Sequence, residues 1–244
     1  MTTMGKAKIL RVIEKLEQLY HSKENTKPAL SPIDMLIAVK LSQNTTDKSS
    51  YKAFRNLKDS YKNWDEVSKA HPDEIKEKIR VCGLANTKTK NILELLKQIK
   101  KDFKGFDLSS LEDKSDDEVY EHFLNYNGLG VKTISCLLAF SFGRNVFPVD
   151  THVHRILNRL DIVHTSTAEK TFESSKKIIP DKEKITFHTN LIKFGRNICK
   201  AVSPLCGVCP LYKDCEFPEK KYFREKSRNA EVKENNFLII EALV

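Results

Sequence analysis

The stretch Asn127-Gly128-Leu129-Gly130-Val131-Lys132-Thr133 decides the fold, because it puts a glycine-rich turn between two helical patterns. Only 8 glycines occur in the 244 residues, and two of them fall in this turn. Glycine permits positive φ and close backbone approach, so the amides of Gly128, Gly130 and the next helix can face a phosphate oxygen. The pattern therefore predicts a tight, anion-binding hairpin, with an ordinary helix–helix turn as the alternative.

A lysine and a carboxylate accompany the hairpin. Lys132 lies in the first turn of the predicted helix, where the helix macrodipole disfavours a cation and favours the neutral, nucleophilic amine. Further along the chain, Phe147-Pro148-Val149 delivers Asp150 to a predicted helix N-cap. We expect amine chemistry assisted by a carboxylate, although a solvated surface lysine has the same local sequence.

Near the end of the chain, four cysteines are spaced C-x6-C-x2-C-x5-C: Cys199, Cys206, Cys209 and Cys215. Thiolates this close in sequence can converge on one soft metal centre, and prolines and a glycine supply the turns. An iron–sulfur cluster and a structural zinc both fit, and the single C-x2-C pair favours iron and sulfur. Two disulfides are a weaker alternative, since no signal peptide is apparent and a reducing compartment is expected.

The composition indicates which class of binding partner to expect. The formal net charge is +9 and the pI is about 9.1, which favours a polyanion such as nucleic acid. No apolar run approaches the roughly 20 residues that a membrane span needs, so no membrane partner is expected.

Helical punctuation recurs along the chain and predicts an all-α fold. Ser31-Pro32 begins one helix and His71-Pro72 another, which stops at Gly83. The only short strand candidate is Val146–Val149. The predicted helices cover residues 6–20, 33–41, 47–57, 72–82, 87–101, 116–126, 131–142, 151–160, 168–178 and 186–198.

Together, the hairpin with Lys132, the segment Val149-Asp150-Thr151-His152 and the four-cysteine spacing resemble the endonuclease III family of the helix-hairpin-helix DNA glycosylase superfamily. Segments 41–47 and 82–88 resemble two further family segments, so the likeness covers about residues 30–218. It implies two helical lobes with a DNA groove between them: 26–143 with the hairpin, and 1–25 plus 144–218 with the cluster, followed by a tail, 219–244.

The resemblance also implies an activity, a bifunctional DNA glycosylase and abasic-site lyase. Lys132 would attack C1′ of a flipped damaged nucleotide and form a Schiff base, and Asp150 would assist. Oxidised pyrimidines are the expected lesions, and uracil, mismatched thymine and oxidised purines stay open. A monomer acting on double-stranded DNA with damaged bases or abasic sites, in the cytoplasm or nucleoid, is expected.

The remaining family positions concern DNA contact and the cofactor. The four cysteines would hold a 4Fe-4S cluster. Gln43 or Asn44 would fill the gap left by the flipped nucleotide, and Leu84 would wedge the opposite strand. The other DNA-contacting residues would be Gly128 and Gly130 in the hairpin, His152 near the flipped nucleotide and Lys200 in the cluster loop. At Gln43, Asn44 and Leu84 the alternatives are a polar helix end and a core leucine.

Two departures from the family pattern stand out. The family's hairpin has Leu-Pro where this chain has Tyr126-Asn127, and asparagine does not preset φ as proline does. The loop from Cys199 to Cys206 carries one basic residue where relatives often have several, which predicts fewer phosphate contacts.

Three other classes stay open. Asp150, His152 and His154 form D-x-H-x-H, which would suit a metal-dependent hydrolase on an extended segment but not on a helix. A non-catalytic DNA-binding protein with a four-cysteine zinc site and a monofunctional mismatch glycosylase are the other two.

Overall fold

The computed structural model describes residues 3–21 and 30–243, and those residues form helices and connecting loops without a β-strand. The chain divides into two units, Met1–Thr26 with Asn145–Asn236 and Lys27–Arg144 with Phe237–Val244. We call them the cluster unit and the hairpin unit after the motifs they carry. No helix in the described part of the chain is long and apolar enough to cross a membrane.

The hairpin unit contains eight α-helices in its described residues. They are α2 (Pro32–Ser42), α3 (Asp47–Ser60), α4 (Trp64–Lys69), α5 (Pro72–Ile79), α6 (Ala85–Phe103), α7 (Asp116–Leu124), α8 (Val131–Ser141) and α13 (Ile239–Leu243).

The core of the hairpin unit is built on α2 and α8. Both helices are apolar around most of their circumference, which is the pattern of a helix surrounded by protein, and both are almost wholly buried. They pack against each other, and α2 also packs against α3 and α6. Ser31 begins α2 as predicted, because its Oγ accepts a hydrogen bond from Asp34 N and Pro32 occupies the first helical position.

The cluster unit contains five α-helices in its described residues. They are α1 (Thr3–Tyr20), α9 (Thr151–Arg159), α10 (Ala168–Ser175), α11 (Lys184–Asn197) and α12 (Lys220–Lys226). The core helix is α11, which is buried over most of its length and packs on α1 and α9. Asp214 ties the cysteine-rich loop to α1 by accepting from Arg11 at 2.9 Å and Lys15 at 2.7 Å.

The short strand candidate Val146–Val149 does not form a strand. This segment is largely buried, and side chains of α11 bond to one carbonyl within it and to one just before it. Lys184 Nζ donates to Asn145 O at 2.7 Å, and His188 Nδ1 donates to Pro148 O at 2.8 Å. The segment is therefore a buried connector that α11 holds in place.

The predicted helices are confirmed, and their ends differ by a few residues. Six C-terminal ends were placed too late: those of α5, α7 and α10 by two or three residues, and those of α8, α9 and α11 by one. After α7, Tyr126 N bonds to Phe123 O in a tighter turn that leads into the hairpin. After α10, Ile178 N bonds to Ser175 O, and Pro180 prevents a further helical turn. Helices α4, α12 and α13 were not predicted.

Candidate functional site

The hairpin joins α7 to α8 through residues 125–130. Gly128 has φ +69°, which favours glycine, whereas Gly130 has φ −115° and is the N-cap of α8. Leu129 N bonds to Tyr126 O at 3.1 Å and closes the turn. Gly130 has no side chain to cap α8, so the helix begins without a side-chain acceptor at its positive end. A helix N-terminus of this kind is a general anion-binding arrangement.

Side chains fix the hairpin where the family pattern has proline. Tyr126 is buried, and its hydroxyl donates to Asp102 Oδ2 at 2.6 Å. Asn127 Nδ2 donates to Glu94 Oε2 at 3.3 Å. The departure from Leu-Pro therefore does not leave the hairpin unsupported.

A buried lysine bonds to the main chain of the hairpin. Lys40 is 2% exposed, and its Nζ donates to Asn127 O at 3.1 Å and to Gly128 O at 2.7 Å. A Cβ added at Gly128 would lie 2.6 Å from the same nitrogen. The backbone conformation of Gly128 therefore favours glycine, and a side chain there would displace the Lys40 ammonium from the hairpin.

Lys132 is the second residue of α8 and is half-buried. The sequence prediction that it lies in the first turn after the hairpin is confirmed. Lys132 therefore lies near the positive end of the helix dipole. Lys132 belongs to the hairpin unit.

Asp150 is the N-cap of α9, as predicted. Its Oδ1 accepts a hydrogen bond from Val153 N at 2.8 Å, which satisfies one of the unpaired amides of the first turn. The carboxylate is half-buried and belongs to the cluster unit.

The D-x-H-x-H sequence does not form a metal site. His152 Nδ1 lies 3.1 Å from Arg155 Nη2, and burial lowers the pKa of His152 below its ordinary 6.5. His154 Nδ1 lies 2.6 Å from Thr171 Oγ1. Asp150, His152 and His154 are not grouped so that they could hold a metal ion together.

The loop that carries Gln43 and Asn44 follows α2 directly. Gln43 is the C-cap of α2, Asn44 adopts φ +53°, and both side chains are exposed. Asn44 is one of the residues that tolerate this conformation. The loop ends at Thr46, which caps α3 through a hydrogen bond from Ser49 N.

Leu84 lies on the surface of the hairpin unit, so the alternative of a core leucine is wrong. It is 59% exposed and has φ +51°. A leucine pays a steric cost for this left-handed conformation. An apolar side chain held outward at such a cost is unusual for a residue without a function.

The four cysteines of the loop are reduced and lie close enough to influence one another's ionisation. Burial raises the pKa of Cys209 to about 12, and the neighbouring thiols add to this effect. Hydrogen-bond donors surround the sulfurs: Phe217 N lies 3.4 Å from Cys215 Sγ, and Arg159 Nη1 lies 3.4 Å from Cys199 Sγ. Four thiols with N–H donors suit a soft metal centre, which would deprotonate them on binding.

Lys200 follows the first cysteine and is half-buried. Its carbonyl accepts from Arg159 Nη1 at 2.8 Å. The next three residues are exposed, and Val202 has 82% of its surface accessible. The tip of this loop is therefore apolar, in line with the small number of basic residues seen in the sequence.

Lys40 and a second buried lysine, Lys88, were not singled out from the sequence. Lys88 is 5% exposed, and its Nζ donates to Leu41 O at 2.8 Å and Cys82 O at 2.9 Å. A signal for Lys40 was present, because it is the one lysine inside the apolar run 33–41. Lys88 had no such signal, since its surroundings in the sequence are polar.

Comparison with known families gives two matches. Residues 37–181 match the HhH-GPD superfamily of base excision DNA repair proteins. Residues 199–215, which begin and end at cluster-loop cysteines, match the iron-sulfur binding domain of endonuclease III.

Similar proteins include endonuclease III from two bacteria. The protein of Thermotoga maritima is 35% identical over 190 residues, which cover 78% of this chain and 85% of that protein. The protein of Escherichia coli K12 is 30% identical over 217 residues, which cover 89% of this chain and 99% of that protein.

Two solved structures of endonuclease III with DNA have a similar fold. A non-covalent complex has a TM-score of 0.74 at 29% identity and covers 91% of this chain and 98% of that one. A trapped covalent intermediate has a TM-score of 0.75 at 29% identity and covers 91% and 99%.

The fold, the hairpin and the cysteine-rich loop define a helix-hairpin-helix protein of base excision DNA repair. Within that class, the chain belongs to the endonuclease III family, the DNA glycosylases with abasic-site lyase activity. Its partner is DNA, and its four-cysteine loop binds an iron–sulfur centre. Two alternatives are therefore wrong: the non-catalytic DNA-binding protein with a four-cysteine zinc site, and the metal-dependent hydrolase.

Proposed function

We propose that Lys132 is the nucleophile of this glycosylase and lyase. Its neutral amine forms a bond to C1′ of the damaged nucleotide while the bond from C1′ to the base breaks, and the base leaves with its electron pair. Loss of the amine protons and opening of the sugar give a Schiff base. Removal of a C2′ proton then breaks the C3′–O bond, cleaving the strand 3′ to the lesion, and hydrolysis of the imine frees the lysine.

The main support for this proposal is the position of Lys132 in the first helical turn after the glycine hairpin. A hairpin that binds the backbone phosphate brings the adjoining sugar close to a residue in the next turn. The trapped covalent intermediate of a similar protein with DNA adds support. A lysine at this position also favours the bifunctional mechanism over a monofunctional mismatch glycosylase.

Asp150 is the partner of Lys132 in this mechanism. Its carboxylate either accepts the proton of the Lys132 ammonium or stabilises the positive charge that builds on the sugar. Lys132 and Asp150 belong to different units, so the proposal requires both to reach one nucleotide.

Opening the duplex is the task of two exposed segments of the hairpin unit. Gln43 and Asn44 fill the gap left by the flipped nucleotide, and Leu84 wedges the opposite strand. Insertion of these side chains offsets the few kcal/mol that unstacking costs. Gly128 and Gly130 hold the phosphate, and His152 and Lys200 contribute further contacts to the DNA.

The iron–sulfur centre is proposed to be a 4Fe-4S cluster. Cys199, Cys206, Cys209 and Cys215 would hold it through their thiolates. A cluster bound there would supply a fixed anchor for the loop that carries Lys200, and no bond-breaking chemistry is assigned to it. Its thiolate ligands suit a reducing intracellular compartment.

The substrates proposed are oxidised pyrimidines in double-stranded DNA, attacked by a monomeric enzyme. Burial keeps His152 neutral near pH 7. A neutral ring next to the flipped base can exchange hydrogen bonds with it without placing a charge there.

Borohydride reduction tests the nucleophile, because it converts a Schiff base into a stable amine. The wild type, Lys132→Gln and Asp150→Asn would be reduced on a duplex with one abasic site. Lys170→Gln is the matched control, because Lys170 also lies in the first turn of a helix. We expect an adduct with the wild type and Lys170→Gln, a weaker one with Asp150→Asn and none with Lys132→Gln. An adduct of wild-type yield with Lys132→Gln would show that another amine reacts.

A further inference from the structure

Two lysine side chains are buried in the hairpin unit, and both bind main-chain carbonyls. Lys40 and Lys88 are 2% and 5% exposed. Burial of a charged group is costly unless it is paired, and each ammonium has two carbonyl partners. Three of the four carbonyls are at least 47 residues from their lysine, and the fourth, Cys82 O, is 6 residues from Lys88, so each lysine ties separate parts of the chain together.

The partners of Lys88 lie beside the two loops that are expected to open the duplex. Leu41 O is in the last turn of α2, two residues before Gln43. Cys82 O is at the end of the 3-10 turn Arg80–Cys82, which leads to Leu84. The backbone amide of Lys88 also donates to Leu84 O at 2.9 Å. The Lys88 side chain therefore bonds the backbone two residues before Leu84 to the end of α2, and its backbone amide bonds to Leu84 itself.

Lys40 lies in the same turn of α2 as Leu41 and reaches the hairpin. Its bonds to Asn127 O and Gly128 O fix the turn whose amides are expected to bind the phosphate. Burial lowers the pKa of Lys40, and the nearby Glu94 carboxylate opposes that effect. The end of α2 is thus bonded through one lysine to the hairpin and through the other to the Leu84 loop.

We propose that Lys40 and Lys88 are positioning residues that hold the three DNA-contacting segments of the hairpin unit in register through the last turn of α2. The segments are Gln43–Asn44, Leu84 and the hairpin 127–130. The inference rests on the proposed function of these segments as the gap filler, the wedge and the phosphate clamp. It assigns a role to two residues that touch neither the DNA nor the reacting atoms.

The two lysines affect different steps. Lys40 positions the phosphate clamp, which acts on damaged and undamaged duplexes alike, so its loss weakens binding. Lys88 positions the wedge against the gap filler, so its loss slows opening of the duplex after binding. Methionine has a similar length without the ammonium, so Lys40→Met and Lys88→Met leave the carbonyls without their cation. Lys97→Met is the control, because Lys97 is an exposed residue of α6.

Two abasic duplexes distinguish positioning from general structural damage. One is fully paired around the abasic site, and the other has mismatched bases on both sides, so that it is already open. Single-turnover cleavage rates and apparent dissociation constants are measured for both with each iron–sulfur-loaded variant. Melting temperature and visible cluster absorbance report folding.

For Lys88→Met we expect about tenfold or slower cleavage of the paired duplex, and a rate within about threefold of wild type on the open duplex. For Lys40→Met we expect about tenfold weaker binding of both duplexes, with a nearly unchanged rate at saturation. Equal slowing of Lys88→Met on both duplexes would overturn the inference, as would wild-type behaviour of both variants. If Lys88→Met does not fold, Lys88→Gln keeps a neutral donor and is expected to show the same difference between duplexes to a smaller extent.

Failure of the proposed function would give a different result. In that case the wild type itself would form no borohydride adduct, or Lys132→Gln would form one. If the wild type reacts through Lys132 but Lys88→Met cleaves both duplexes in the wild-type ratio, only the positioning role is refuted.

Discussion

Replacement of Leu84 by alanine should lower DNA cleavage while leaving stability nearly unchanged. Burying a leucine completely is worth about 1.5–3 kcal/mol. Because Leu84 is 59% exposed, more than half of this free energy is still available when the side chain enters the duplex. That share is about 1–2 kcal/mol, or about 5- to 30-fold in rate.

Leu84→Ala should have a smaller effect on the free energy of unfolding than on the cleavage of DNA. The part of Leu84 that is already covered contributes about 1 kcal/mol to the free energy of unfolding. Alanine keeps a Cβ, so the cost of the left-handed backbone at φ +51° stays the same. Leu10→Ala is a matched control, because Leu10 is 55% exposed and lies in α1, outside the hairpin unit.

The assay compares single-turnover cleavage of a paired abasic duplex with urea unfolding for the wild type, Leu84→Ala and Leu10→Ala. We expect both variants to lose about 1 kcal/mol or less in stability and only Leu84→Ala to cleave more slowly. Wild-type cleavage by Leu84→Ala would refute the wedge. A stability loss above about 3 kcal/mol would show that Leu84 behaves as a core residue.

Three further predictions follow from the cluster unit. Asp150→Asn should lose activity but keep the hydrogen bond that caps α9. Asp150→Ala should lose activity and also about 0.5–2 kcal/mol of stability, measured by urea unfolding. Equal stability of the two variants would contradict the capping role. Burial lowers the pKa of His152 in the folded state below 6.5, so the unfolded chain binds more protons as the pH falls through 6.5 and stability drops. His152→Gln should therefore show a shallower loss of stability between about pH 7 and pH 5 than the wild type, and parallel curves would contradict the shift. Cys209→Ser should lose the visible absorbance of the iron–sulfur centre, whereas Cys136→Ser, at a buried cysteine of α8, should keep it; retained absorbance in Cys209→Ser would remove Cys209 from the ligand set.

The sequence predicts most of this fold because helix starts are local. Ser31-Pro32 and Asp150-Thr151 carry the capping chemistry within three residues, and the structure has helices beginning at both. Helix α4 was missed because its six residues contain only two buried apolar side chains, too few to show a helical period. The apolar segment 146–149 suggested a strand because a sequence pattern shows burial but not the presence of a partner strand.

The residues that position the site were harder to predict from the sequence than its reactive residues. Lys132 and Asp150 stand out because each follows a turn that gives it a defined helix position. Lys40 and Lys88 act on main-chain carbonyls 87, 88, 47 and 6 residues away, and every residue type has such a carbonyl. The partners of such a lysine become visible only once the chain is folded.

Identification of the residue that carries the DNA after borohydride reduction tests the central claim most directly. The wild-type adduct on an abasic duplex would be digested with nuclease and protease, and the modified peptide would be sequenced by mass spectrometry. We predict one modified residue, Lys132, in a peptide that spans the hairpin and the start of α8. Modification of a different lysine, or of the amino terminus, with unmodified Lys132 would contradict the mechanism.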